Sequence, residues 1–136
     1  MKDPYGEIVV KQTITPASRS ANTTVNGSSV DRVGTNEHYQ GALVVVSTGT
    51  ITDGTHTVAV EHSDDNSAWS AASAAELRGS NPAVVAADDN KIFEIGYIGL
   101  KRYLRVSVTT AGATTGGVFG ADIVLTGGRN RPPVRP

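Results

Sequence analysis

Cysteine is absent from all 136 residues of the sequence. This absence excludes a disulfide framework, a thiolate zinc site and a cysteine nucleophile within the chain. Stability must therefore come from its own core or from assembly with other chains. Long apolar runs are also missing, and none approaches the ~20 residues that a membrane-spanning helix needs. The N-terminal residues, MKDPYGE, contain no apolar stretch, so we expect no secretory signal and synthesis in a cytoplasm.

Aromatic residues are few as well, and the positive and negative charges nearly balance. Phe, Tyr and Trp make up 5% of the chain, so the core must be built from Val, Ile, Leu and Ala. Twelve basic residues face 13 acidic ones, which leaves a net charge of −1. A protein that binds nucleic acid or an anionic membrane surface generally needs a basic face. We therefore expect neither nucleic acid nor a membrane as partner.

The sequence does contain short apolar runs separated by Gly, Ser, Thr, Asn and Asp. This pattern is typical of all-β domains. The clearest alternation predicts that Leu104, Val106 and Val108 face the core. Residues 43–62 predict a hairpin, whose first strand, Leu43–Val46, is predicted to be central and buried on both sides. The pattern predicts a single all-β domain, a β-sandwich (Ig-like or jelly-roll) of six to seven strands with extended terminal arms.

Composition divides this domain into three parts. Residues 1–40 predict an N-terminal strand followed by an extended loop or arm rich in Ser, Thr and Asn. Residues 41–126 predict the β-sandwich core. Residues 127–136 contain three prolines and three arginines. Because proline suits neither a helix interior nor a central strand, this segment predicts an exposed C-terminal arm.

The three histidines are the first candidates for chemistry. His56 and His62 share a strand face, but six residues at ~3.4 Å each place them about 20 Å apart. They cannot chelate one metal, because zinc ligands lie close to the ion that they share. We expect both of them, and His38, to be surface or loop-edge residues.

The acidic clusters at residues 53, 64–65 and 88–89 are expected to cap turns through the backbone. None has the ligand spacing of an EF-hand loop. No Gly-x-Ser-x-Gly elbow is present, and the Gly-rich segment 116–120 lacks the Lys-Ser/Thr of a phosphate loop. We therefore expect no catalytic, metal-binding or cofactor-binding residue, and no enzyme activity. The candidate contacts to a partner are Arg129, Arg131, Arg135, Tyr103 and Arg105.

Two stretches of the chain resemble small proteins encoded near the major capsid gene of tailed bacteriophages. The first contains GALVVVSTGT at 41–50, DGTHTV at 53–58 and EHSDDNSAW at 61–69, and the second is IGYIGLKRYLRV at 95–106. The resemblance extends over about residues 41–126. It implies an accessory head protein, of the decoration or cement type, that binds the outside of an assembled head and braces it against internal DNA pressure.

This resemblance also implies partners and a location. The partner would be the major capsid protein, and the site of action the outer capsid surface of the virion. Such proteins act at symmetry axes, so a homo-oligomer is expected. With a lean core, no disulfides and arm-like termini, we favour a trimer over a dimer.

Two alternatives remain open. One is a sugar- or receptor-binding module of a phage tail or tail fibre, which would present exposed aromatic rings for stacking. Trp69 is expected to plug one end of the core, whereas Tyr103 is expected to face outward beside Arg102 and Arg105. An exposed concave face shared by Trp69 and Tyr103 would instead favour sugar binding. The other alternative is a head-to-tail joining protein.

Overall fold

The computed structural model describes residues 3–129 together with Pro133 and Arg135. The described chain begins with one helical turn, α1 (Pro4–Glu7), and about half of its residues lie in strands, with two 3₁₀ turns at Ala74–Glu76 and Ala86–Asp88. The strands are β1 (Ile8–Arg19), β2 (Thr24–Asn26), β3 (Val30–Asp31), β4 (Gly41–Ile51), β5 (Thr55–Ser63), β6 (Ser70–Ala71), β7 (Leu77–Arg78), β8 (Ala83–Val84), β9 (Ile92–Tyr97), β10 (Tyr103–Ala111) and β11 (Gly117–Thr126).

These strands form two antiparallel sheets around one core. The first sheet has the order β1-β11-β4-β9-β7, and the second has the order β2-β10-β5-β6, with β3 also paired to β10 and β8 to β5. The predicted all-β sandwich is confirmed. Among the described residues, no helix has the length and apolar character needed to cross a membrane.

The predicted alternation of β10 is confirmed by its burial. Leu104, Val106 and Val108 are all buried in the core, and β10 pairs with β5 along its whole length. In this register Val106 lies opposite Val60, which is equally buried. Close packing of such branched apolar side chains accounts for much of the stability of a small sandwich.

Strand β4 is central in its sheet, but the prediction that it is buried on both sides is wrong. Val44 and Val46 lie in the core, whereas Leu43 and Val45 are only half-buried on the opposite face. The reason is that the fold has two layers, and none of the described elements forms a third layer over this outer face. The apolar run therefore places hydrophobic side chains on the surface.

Residues 8–19 join the first sheet as its edge strand, β1, and contribute Val9 and Ile14 to the core. The strand continues past Pro16, because the ladder with β11 has a register shift between Ile14 and Ala17. A bulge at an edge accommodates proline, which has no N–H to donate. The backbone of β11 at Gly120 lies close to Pro16, since a Cβ added at Gly120 would lie 2.8 Å from Pro16 Cγ.

Candidate functional site

His56 and His62 are core residues, so the expectation that they lie at the surface is wrong. Their exposed fractions are 0% and 4%. His56 Nδ1 lies 2.8 Å from Thr110 Oγ1, and its Nε2 lies 3.2 Å from the carbonyl oxygen of Asp53. His62 Nδ1 lies 2.8 Å from the hydroxyl oxygen of Tyr97. Burial of these rings is possible because their polar atoms have hydrogen-bond partners.

A signal for this burial was present in the sequence. Both histidines have the same strand parity as Val58 and Val60, which face the core. The two-residue period of a strand therefore places them inside. His38, in the loop before β4, is exposed as expected.

The turn-capping role expected of the acidic clusters is confirmed for Asp65 and Asp88, whereas Asp53 caps a turn that is distant in sequence. Asp53 accepts hydrogen bonds from the backbone N–H groups of Thr114, Thr115 and Gly116, at 3.0, 3.1 and 2.7 Å. These bonds favour the ionised form and hold the pKa of Asp53 below its ordinary value. Backbone N–H groups are capped in the same way by two further carboxylates, Asp65 and Asp88.

Trp69 does not plug the core, which corrects that expectation. It is half-buried on the outer side of the second sheet, where the Arg105 guanidinium lies over its ring, 4.4 Å from the centroid. Arg105 Nε donates to Glu61 Oε2 at 2.6 Å, and the β5–β10 register places these two residues opposite each other. The Trp is outside the core because it lies in the turn between β5 and β6.

Tyr103 lies two residues before Arg105 on β10 and therefore shares its outward face. The Arg102 guanidinium lies 4.9 Å from the centroid of the Tyr103 ring. It also donates to both carboxylate oxygens of Asp31, at 2.8 Å each. This bidentate hydrogen bond holds the pKa of Asp31 below its ordinary value. We define the arginine–aromatic patch as Asp31, Glu61, Trp69, Arg102, Tyr103 and Arg105.

The C-terminal arginines are not part of this patch. Arg135 lies against the N-terminal turn, where its guanidinium donates to the carbonyl oxygens of Tyr5 and Ile8 and lies over the Tyr5 ring at 3.9 Å. Arg129 is exposed. Arg131 lies outside the described residues. The structure thus brings Tyr103 and Arg105 together and places Arg135 elsewhere.

Arg32 is a buried residue that sequence reasoning missed. Only 7% of it is exposed, and its guanidinium donates to the carbonyl oxygens of Gly99, Lys101 and Gln40 at 3.1, 2.9 and 2.7 Å. It also lies over the Tyr97 ring, 5.3 Å from the centroid. Burial lowers the pKa of Arg32. No local sequence pattern predicts the burial of Arg32, because arginine in a polar segment is usually exposed.

The outer face of the first sheet is a second surface, on which several apolar side chains lie together with Asp122 and Glu94, the two neighbours of Val45. Val10 and Ile92 are 56% and 65% exposed. Between them lie three half-buried side chains, Leu43, Val45 and Val124. Contiguous apolar patches are uncommon on monomeric soluble proteins and often mark a contact with another molecule.

Comparison with known proteins gives a fold relationship. No protein-family model matches the sequence, and no curated protein matches it either. The solved structure of the PBSX exported protein XepA has a TM-score of 0.63 and 17% sequence identity, and the match covers 100% of this chain and 42% of XepA. The SPBc2 prophage-derived protein YomS is 18% identical over 87% of this chain and 96% of its own, with a TM-score of 0.37. The chain therefore has a β-sandwich fold similar to that of part of XepA, and it spans less than half of that protein.

Proposed function

We propose that the chain is a non-enzymatic protein of a phage or prophage that acts by binding, and more specifically that it decorates the outside of an assembled phage head. The resemblance of residues 41–126 to accessory head proteins supports this proposal. The fold similarity to XepA, a PBSX protein, is in keeping with a phage or prophage origin. The polar groups of the buried His56 and His62 are engaged in hydrogen bonds that hold the structure, and Asp53 caps a turn at the surface, which agrees with a non-enzymatic role.

The observation that carries the proposal is the arginine–aromatic patch. Trp, Tyr and Arg are the residue types that contribute most to protein–protein binding. Arg105 is held between Glu61 and Trp69, and Arg102 between Asp31 and Tyr103. Side chains that are already fixed lose little conformational entropy when a partner binds.

Binding to undecorated phage heads and to free capsid subunits tests the proposal. We expect the chain to bind heads and not free subunits, because the binding surface of a decoration protein forms where subunits meet. Trp69→Ala should weaken head binding by at least about 30-fold, the effect of a hot-spot residue worth about 2 kcal/mol. Lys91→Ala, on the other sheet, is the matched control and should leave binding unchanged. Equal binding to heads and subunits, or none to heads, would contradict the proposal.

The proposal includes self-association, with a trimer favoured over a dimer. The apolar outer face of the first sheet offers a surface for it. Sedimentation of the full chain at micromolar concentration should give a species of three times the 14.1 kDa chain mass. Val10→Lys should shift that species toward the monomer, because a charge would be buried in the contact. A monomer for both proteins would remove self-association in solution from the proposal.

A sugar- or receptor-binding module is the second candidate. The observation in its favour is that Trp69 and Tyr103 are both partly exposed on one outward face. A guanidinium already covers one face of each ring, however, and sugar stacking needs an open ring face. Binding of the full chain to specific sugars on a glycan array, abolished by Trp69→Ala, would replace head decoration by this candidate.

A further inference from the structure

A depression of about 480 Å³ lies at the end of the sandwich where β4 begins, which we call the Arg32 end. Its lining includes Arg32, His38, Gln40, Leu100, Lys101 and Arg102. No acidic side chain is among the described residues that line it. The depression therefore combines basic groups with an apolar wall.

Leu100 is the most exposed large apolar residue of the described chain, at 97%. It lies in the loop between β9 and β10, and the half-exposed Ile98 lies two residues before it. An isolated exposed leucine needs no explanation by itself. This one is held in place by the backbone on both sides of it.

Arg32 supplies that support. Its guanidinium donates to the carbonyl oxygens of Gly99 and Lys101, the residues before and after Leu100. The N–H of Lys101 also donates to the Tyr97 hydroxyl at 3.3 Å. The loop is thus fixed by buried polar groups while it presents a leucine to solvent. A fixed loop binds with a smaller loss of entropy than a mobile one.

The charges around Leu100 favour an acidic partner. Within the described part of the chain, no carboxylate lies within ion-pair distance of Arg32, and its buried Nε has no hydrogen-bond partner. Lys101 Nζ lies 3.7 Å from Asp64 Oδ2, a long contact with a well-exposed carboxylate, and its charge also helps to lower the pKa of Glu76. The Arg102 charge, by contrast, is engaged by Asp31. Lys101 is therefore the accessible cation offered to a carboxylate, and the buried charge of Arg32 lies beside it.

We propose that this depression binds an acidic segment of a protein partner, in which an apolar side chain packs on Leu100 and a flanking carboxylate meets Lys101 beside Arg32. This inference goes beyond the proposed function, because it does not require that the partner be a phage head. An anionic lipid surface would supply the same charge. It is disfavoured because one leucine and a half-exposed isoleucine offer less apolar surface than a single acyl chain, which alone binds membranes only marginally.

Titration of the full-length chain with a short blocked peptide, Asp-Glu-Leu-Glu-Asp, tests the inference by nuclear magnetic resonance. We expect saturable shifts at the Leu100 methyls, the Lys101 amide and the Arg32 Nε, and no such shifts with Lys-Arg-Leu-Arg-Lys. Leu100→Ser and Lys101→Gln should each weaken binding about tenfold or more. Both residues are on the surface, so these variants should fold.

The chain contains a matched control. Lys91 and Ile92 are also a neighbouring lysine and exposed apolar residue, but Lys91 is paired with Asp88 at 3.0 Å, more closely than Lys101 is with Asp64 at 3.7 Å. Lys91→Gln should bind the acidic peptide as the wild type does. Equal weakening in the control variant, or no saturable shift, would overturn the inference. Binding to phosphatidylserine vesicles that Leu100→Ser abolishes, without peptide binding, would overturn it in favour of a membrane. Head binding is measured separately, so failure here leaves the decoration proposal standing.

Discussion

Opposite ends of the sandwich are held by side chains of opposite charge. Asp53 follows β4 and accepts hydrogen bonds from three backbone N–H groups, whereas Arg32 precedes β4 and donates to three backbone carbonyl oxygens. Each end also has one of the two buried histidines of β5. His56 contacts the Asp53 carbonyl oxygen, and His62 contacts Tyr97, whose ring lies against Arg32.

The two ends differ in their access to water. The amides of Thr114 and Thr115 that Asp53 caps are at the surface, whereas Arg32 and its bond to Gly99 are buried. If the carboxylate is lost, water can replace it at the N–H groups. If the guanidinium is lost, the carbonyl oxygen of Gly99, whose bond is buried, has no replacement donor. The Asp53 end is therefore a capped turn, while the Arg32 end is a rigid support for the loop that presents Leu100.

Removal of the buried guanidinium should have the largest effect on stability. Arg32→Met keeps much of the side-chain volume but leaves up to three carbonyl oxygens without donors, so we expect a loss of about 3 kcal/mol in the free energy of unfolding. Urea denaturation of the variant and the wild type measures it. Arg129→Met, at an exposed arginine, is the control and should change stability by less than about 0.5 kcal/mol. A loss below about 1 kcal/mol for Arg32→Met would show that the two ends are supported alike.

Substitution of the two histidines tests whether the two ends of the sandwich open independently. His62→Phe and His56→Phe keep an aromatic ring but remove buried hydrogen bonds, so each should cost about 1–2 kcal/mol. Amide hydrogen exchange should then differ by location. His62→Phe should accelerate exchange at Lys101, whose N–H donates to the Tyr97 hydroxyl, and His56→Phe should accelerate it at residues 114–116. The same exchange pattern in both variants would mean that the ends do not open independently.

Substitution of the capping carboxylate should have a smaller and pH-dependent effect. The pKa of Asp53 is lowered in the folded chain, chiefly by hydrogen bonds from Gly116, Thr115 and Thr114. A lowered folded pKa contributes stability above the unfolded value, near 3.8, and that contribution is lost as the pH falls through the folded value. Asp53→Asn should therefore melt below the wild type at neutral pH. The difference should shrink as the pH falls from about 5 to about 2. A difference independent of pH would contradict this account.

Loss of the exposed leucine should have the smallest effect on stability. Because Leu100 is 97% exposed, Leu100→Ser should change the free energy of unfolding by less than about 0.5 kcal/mol. Leu104→Ser, four residues away in the core, should cost about 3 kcal/mol or more. Thermal melts of the two variants give the comparison. A loss above about 1 kcal/mol for Leu100→Ser would mean that the loop depends on this side chain for its own structure.

Alternation along single strands could be predicted from the sequence. The inward positions of β10 followed from a two-residue period, and the structure places Leu104, Val106 and Val108 in the core. The same rule would have placed His56 inside. Of the candidate site, the outward direction of Tyr103 and Arg105 was predicted in the same way. Their pairing with Trp69 and Glu61 was not, because it depends on which strands are neighbours.

The sequence by itself determined the all-β class, the main strands and which side chains of each face inward, because strand alternation is a local property of the backbone. Only the tertiary structure decided that β1 pairs with β11, about 100 residues away, and that β4 has one bare apolar face. It alone decided the burial of Arg32. The three carbonyl oxygens that hold this guanidinium come from Gln40, Gly99 and Lys101, and only the folded chain brings residues so far apart in sequence within hydrogen-bond distance of one side chain.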